Sequence, residues 1–286
     1  KKNVSEKALA FMKGFHQAGI LGSAKHFPGH GDTEDDSHKV LPTIDHTRER
    51  IDSIELYPYR QLIKEGLNSV MVAHLNVPAL EDKLNFPSSL SKKVVTDILK
   101  GELGFNGLIF TDALNMRGVA NFDKPGEIDL AAFLAGNDIL LISEDIPKAH
   151  ELLVNAYREG TVTEERLAHS VKKILYAKYK VGLHNYQPVD TTYLVEELNT
   201  VNDDVLYEKA MENALTVLKN DQATLPIKDL QKKKIAYVNF GDDSGKPFLE
   251  ELRKYADIDW VKANSLDDYI QKLKNYNYVV IGFHKS

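Results

Sequence analysis

Residues 24–38, AKHFPGHGDTEDDSH, gather three histidines, four acids and a lysine into fifteen positions around a proline and two glycines. Within this stretch Asp36 and His38 stand two apart. In an extended loop such residues project to the same side, so the carboxylate can reach the imidazole. A carboxylate there favours the imidazolium and fixes which ring nitrogen faces outward, preparing a histidine to give up a proton and take it back. The competing reading of the same triplet is an Asx-turn beside a surface histidine. Lys25 and His26 close a short apolar run and can donate hydrogen bonds to ligand hydroxyls; otherwise the lysine pairs with an acid and the histidine bonds backbone. Pro28, Gly29 and Gly31 make a path poor in side chains, along which backbone can approach a ligand. His30, between the glycines, either faces that ligand or is solvated. His26, His30, Asp32, Asp36 and His38 are all acceptable zinc or iron ligands. Proline and glycines break the helix that would turn the i, i+4 histidines into a chelate, so the expectation is no metal. A second candidate is Asp112, which ends the apolar run GLIFT. It is suited to attacking or stabilising an oxocarbenium-like sugar carbon, or else to capping a helix over residues 113–119.

These residues need elements to carry them. Apolar runs at 24–27, 69–75 (SVMVAHL), 107–112 (GLIFTD) and 138–143 (DILLIS) suit strands buried on both faces. Helical patterns separate them. Residues 51–66 carry Ile51, Ile54, Leu62 and Ile63, and residues 91–100 carry Val94, Val95, Ile98 and Leu99 after a serine cluster fit to cap. Thr163 caps a helix whose stripe is Leu167, Val171, Ile174 and Leu175, and Gly182 stops it. Repeated strand–helix units imply right-handed crossovers in an α/β fold, either a doubly wound sheet or a (β/α)8 barrel. Each strand ends in a reactive group: Lys25-His26, His74, Asp112, Ser143-Glu144. Barrels collect chemistry at strand C-termini in this way. No GxGxxG or GxxxxGK[ST] phosphate loop is present to argue for the open sheet. About half a barrel is expected over residues 1–184, a linker over 185–204, and a second α/β layer domain beginning at 205–286. In that second part residues 205–217 look like a helix running into a short strand, 234–240 a strand, 248–255 a helix and 278–283 a strand.

Bulk properties narrow the function classes. The 286 residues carry a net charge of −6, and the only basic tract is Lys232-Lys233-Lys234, which argues against nucleic acid as a partner. With zero cysteines there is no disulfide, zinc-thiolate site or cysteine nucleophile. No apolar run approaches the roughly 20 residues that cross a bilayer. The chain opens abruptly on Lys1-Lys2 with no signal peptide, as if in the middle of something. Nothing implies a cofactor.

KHFPGHGDTEDDSH followed by GLIFTDALNMRGV resembles bacterial glycoside hydrolase family 3, in the β-N-acetylhexosaminidase branch marked by its KH(F)PGHG…DSH loop. The resemblance implies the C-terminal half of a TIM-type (β/α)8 barrel followed by the start of an α/β sandwich. It implies Asp112 as nucleophile, His38 as acid/base with Asp36 as its dyad partner, and Lys25 and His26 on the hydroxyls of the non-reducing-end sugar. His30 belongs to the same loop, in a less defined substrate-binding role. The reaction implied is retaining, exo-acting removal of N-acetylglucosamine from peptidoglycan fragments or chitooligosaccharides through a glycosyl-aspartate ester. An imidazole acid/base departs from the usual two-carboxylate pattern. Being neutral once deprotonated, it repels an incoming anion less, so phosphate can compete with water as acceptor. Family members with a second domain are often exported, which points to the cell envelope, periplasm or secretion. The family's first barrel half, with an aspartate and an arginine that grip the sugar, has no counterpart here; the missing strands are expected from a longer chain or another fragment. The alternatives are a metal-dependent barrel hydrolase, a β-glucosidase of the same family, and a non-catalytic carbohydrate-binding protein.

Overall fold

The structure is a computed structural model that describes residues 1–33, 35–37 and 39–284. The chain divides into two compact units, Lys1–Val189 and the part from Asp190 on. In the first unit the elements run α1 (Lys2–Gln17), β1 (Ser23–Phe27), α2 (Arg48–Ser53), α3 (Leu56–Lys64), β2 (Ser69–Val72), a π-helix (Lys93–Glu102), β3 (Leu108–Thr111), α4 (Arg117–Ala120), α5 (Glu127–Ala135), α6 (Ile146–Arg158) and α7 (Glu164–Lys180). The three strands pair in parallel in the order β1-β2-β3. Each new strand is added on the same side, an order common to a barrel and to one half of a doubly wound sheet. Val70 and Val72 of β2 and Ile109 of β3 are fully buried, so these two runs serve as strands covered on both faces, whereas β1 buries only Phe27.

Three local expectations need correction. Residues 51–66 form two helices rather than one. Pro58 has no N–H for the carbonyl of Ile54, so the turn cannot propagate and the chain restarts as α3. The run 138–143 is not a full strand: Ile139 alone bridges Phe110. Past it Leu141 donates its amide to the Thr111 hydroxyl instead of a carbonyl, and Ile142 turns away with φ +48. On α7, capped by Thr163 as expected, Leu167, Val171 and Leu175 are 38%, 42% and 58% exposed. The covered side of α7 is polar. Ser170 is buried against Asp138, and Lys173 donates to the same carboxylate at 3.0 Å and to the Gly107 carbonyl at 2.8 Å.

Asp138 therefore anchors the end of the sheet away from the strand C-termini. Its carboxylate has no exposed surface, accepts from the Ile109 amide at 3.0 Å, and has Arg166 3.7 Å away. Lys100, held against the Gly136 carbonyl nearby, is pushed down to about 8 by burial, with Asp138 opposing and Arg166 and Lys173 adding to the fall. Removing this anion leaves the cations beside it buried without its compensation. Asp138→Ala should cost about 3–5 kcal/mol, read in urea as a lower midpoint at unchanged slope.

In the second unit α8 (Leu194–Glu197) and α9 (Val201–Ala214) precede β4 (Ile235–Phe240), α10 (Lys246–Leu252), β5 (Ile258–Trp260), α11 (Leu266–Leu273) and β6 (Tyr278–Phe283). Its strands are parallel in the order β5-β4-β6, packed on Ile235, Tyr237, Leu249 and Ile258. α9 starts inside the stretch read as linker, because Thr200 and Asp203 cap it reciprocally, and residues 215–217 join no strand. β5 is only three residues long with Asp259 in its middle, too short for periodicity to reveal. No helix among the described residues is long and apolar enough to cross a membrane.

Candidate active site

Three strand ends meet at the carboxyl edge of the first sheet. Asp112, one residue beyond β3, donates its amide to the Val72 carbonyl at 2.8 Å, which ties it to the neighbouring strand. Its Oδ1 accepts from the Ala113 amide at 2.9 Å, and its Oδ2 lies 3.6 Å from Nε2 of His26. The side chain is 14% exposed, shielded yet reachable. The helix-cap alternative falls away, since α4 begins only at Arg117, behind Met116, and has no side-chain cap.

Lys25 and His26 are consecutive on β1, where alternation would send them to opposite faces. The β1–β2 ladder shifts register between Ala24 and Phe27, and both residues line one cleft of 1320 Å³ with His30, Asp36 and Asp112. Phe11, Met12 and Phe15 of α1 also line that cleft. The His26 and His30 rings meet edge to face, with centroids 5.9 Å apart and planes at 73°.

The loop after β1 is seated by its glycines. Gly29 has φ +143, and a Cβ there would lie 2.8 Å from both Cβ and Cγ of Glu55. Glu55 in turn receives Arg50 Nη1 on both oxygens, at 2.6 and 2.7 Å. Farther along, the carbonyls of Ser37 and Val40 lie over Gly118 of α4, 3.0 and 2.9 Å from where a Cβ would stand. His30 is held by the loop itself: Nδ1 meets the Thr33 hydroxyl at 2.7 Å and Nε2 the Ser37 hydroxyl at 3.2 Å. Thr33 already donates to the His30 carbonyl, so its oxygen accepts from Nδ1–H and leaves Nε2 to accept from Ser37. Asp32 turns to His46 at 2.6 Å and Arg50 at 3.2 Å. Among the described residues no three His, Cys, Asp or Glu side chains come together as a metal-binding group. The Asp36 carbonyl accepts from the amides of Lys39 and Val40. His38 lies outside the described residues.

One member of the site had no role in the sequence reading. His74, just past β2, is fully buried. Its Nε2 is 3.0 Å from the Ala113 carbonyl and its Nδ1 2.7 Å from the Ser89 hydroxyl. Burial holds this imidazole below the usual histidine range, against the raising influence of the Ala113 carbonyl and of the Asp112 charge. Its place at a strand's C-terminal end was the available signal; nothing in the sequence showed which atoms it would meet.

The sequence profile described as the glycosyl hydrolase family 3 N terminal domain matches residues 1–177. The chain belongs to glycosyl hydrolase family 3. A β-hexosaminidase A of Pseudoalteromonas piscicida is 34% identical over 248 residues, covering 79% of this chain and 40% of that protein. A β-hexosaminidase of Chromobacterium violaceum is 38% identical over 150 residues, covering 52% of this chain and 41% of the relative. Among solved structures, a family 3 β-N-acetylglucosaminidase from Paenibacillus sp. str. FPU-7 superposes with a TM-score of 0.72 at 29% identity, covering 94% of this chain and 54% of that one. The chain thus spans about two fifths of the length of these curated relatives and about half of the solved neighbour. Its parallel α/β architecture is that of the family's TIM-barrel-like N-terminal domain.

Proposed function

We propose that this family 3 chain carries the reacting groups of a retaining, exo-acting β-N-acetylglucosaminidase that removes terminal N-acetylglucosamine from peptidoglycan fragments or chitooligosaccharides. Residues 1–184 would be the C-terminal half of the barrel, 185–204 the connection and 205–286 the start of the sandwich. The observation that carries the reading is Asp112, shielded and tied to the sheet edge, facing His26 in a cleft bordered by the KHFPGHG loop. The relatives named β-hexosaminidase and β-N-acetylglucosaminidase supply the sugar.

In this mechanism the Asp112 carboxylate attacks the anomeric carbon while His38, oriented by Asp36, protonates the departing oxygen. The bond to the aglycone breaks and a glycosyl-Asp112 ester forms. His38, now neutral, takes a proton from water, whose oxygen displaces the carboxylate from the other face; two inversions give retention. Lys25 and His26 donate to the sugar hydroxyls. Both ring nitrogens of His30 are engaged within the loop, so it serves the site by holding that loop and offering its ring surface to the cleft.

Two measurements test this together. Nitrophenyl β-N-acetylglucosaminide should be cleaved faster than nitrophenyl β-glucoside. A slow fluorinated N-acetylglucosaminyl donor should label the peptide that contains Asp112, by mass spectrometry. Preference for the glucoside would move the chain to the β-glucosidase reading. A label on another carboxylate would end the assignment of Asp112.

A further inference from the structure

The buried imidazole behind the nucleophile is mounted more firmly than packing alone requires. A carbonyl oxygen can only accept, so the 3.0 Å contact with Ala113 places the ring proton of His74 on Nε2. In the neutral ring Nδ1 then accepts, and the Ser89 hydroxyl 2.7 Å away donates. The neighbouring serine clamps the main chain on either side of the histidine. Ser88 Oγ donates to the Ala73 carbonyl at 2.6 Å and accepts from the Leu75 amide at 3.1 Å, while the Ser88 amide donates to the Leu75 carbonyl at 2.8 Å. The carbonyl of Ser89 receives Asn137 Nδ2 at 2.8 Å, and that nitrogen also reaches the Ala132 carbonyl on α5 at 2.7 Å. His74, Ser88, Ser89 and Asn137 are all buried. An apolar residue would fill this place without the desolvation of so many polar groups.

What the mount holds is the peptide unit after the nucleophile. The Ala113 carbonyl accepts from His74, and the Ala113 amide donates to Asp112 Oδ1. We propose that His74 is a positioning residue for Asp112: by fixing the Ala113 backbone it keeps that amide on Oδ1 and turns Oδ2 toward the sugar as the attacking oxygen. The inference rests on the glycosidase reading above. Every hydrogen-bonding position of the ring is taken by protein, so His74 exchanges no proton with substrate. Among the described residues the titratable groups whose charges act on it are Asp112 and His26.

The test uses His74→Phe and His74→Gln, with Ser89→Ala as a milder change, in the complete protein. In His74→Phe kcat should fall about a hundredfold with KM little changed. The rate of Asp112 labelling by the fluorinated donor should fall by the same factor. Loss should be equal for a dinitrophenyl glycoside and a disaccharide, because attack geometry does not depend on the leaving group. His74→Gln, whose amide can still donate to Ala113, should recover part of the rate, and Ser89→Ala should fall between. A folded His74→Phe that keeps full turnover and labelling overturns the inference while leaving Asp112 as nucleophile. If wild-type protein is neither active nor labelled, the glycosidase reading itself fails. Should His74→Phe not fold, ¹⁵N spectra of the wild-type ring decide: an Nε2–H tautomer unchanged over about pH 5 to 8 is expected, and an Nδ1–H or titrating ring overturns the proposal.

Discussion

Asp112→Ala should lower kcat/KM for N-acetylglucosaminides by about 10⁴-fold or more, the scale seen when a covalent nucleophile is removed. The fold should survive. Asp112 contributes its amide to the Val72 carbonyl, which alanine keeps, and among the described residues its carboxylate bonds only the adjacent Ala113 amide, with His26 3.6 Å off. A decisive readout is chemical rescue. Alanine opens a hole at the position of Oδ2, into which azide or formate fits. With an activated aryl glycoside, added azide should attack the anomeric carbon from that side, expel the phenolate and yield the α-glycosyl azide in one inversion. A residue that only supported the loop would show loss without rescue. Wild-type-like turnover in the alanine variant would remove Asp112 from the mechanism.

His38→Ala should separate substrates by leaving group. Disaccharides need their departing oxygen protonated, so their kcat/KM should fall about 10²- to 10⁴-fold. A dinitrophenyl glycoside leaves without a proton, and its kcat/KM should stay near wild type, since that ratio reports steps through ester formation. Its kcat should still drop, because hydrolysis of the ester has lost its base, and an initial burst of phenolate should precede slow turnover. Azide needs no base, so here it should restore kcat and give the β-glycosyl azide, the anomer opposite to that from Asp112→Ala. Asp36→Asn should show the same pattern more weakly, by leaving the imidazole without its carboxylate. Equal loss for both substrate types would contradict the role of His38.

Much of this molecule is legible along the chain. The runs SVMV and LIFT are buried strands, and Val94, Val95, Ile98 and Leu99 are the covered stripe of their helix, because side-chain periodicity and burial are local patterns. Pro58 was just as visible, yet the apolar spacing around it read through as one helix. The stripe of α7 was misassigned for a different reason. Aliphatic spacing names a covered face, but the side actually covered holds Ser170 and Lys173, drawn by a carboxylate 32 and 35 residues earlier in the chain. Asp138 looked like the first residue of a strand; only folding turns it into the counter-ion for that helix.

The site divides along the same line. Residue types at and near strand ends, together with a loop dense in titratable groups, were enough to single out Asp112, Lys25, His26 and His30 as candidates. Which oxygen of Asp112 is engaged, and that both nitrogens of His30 turn to Thr33 and Ser37, depend on loop conformation that spacing does not encode; that His74 reaches the peptide after the nucleophile is a pairing across 39 residues. A linear pattern records what each position offers, whereas hydrogen bonds are short and directional and exist only once packing has brought donor and acceptor within about 3 Å.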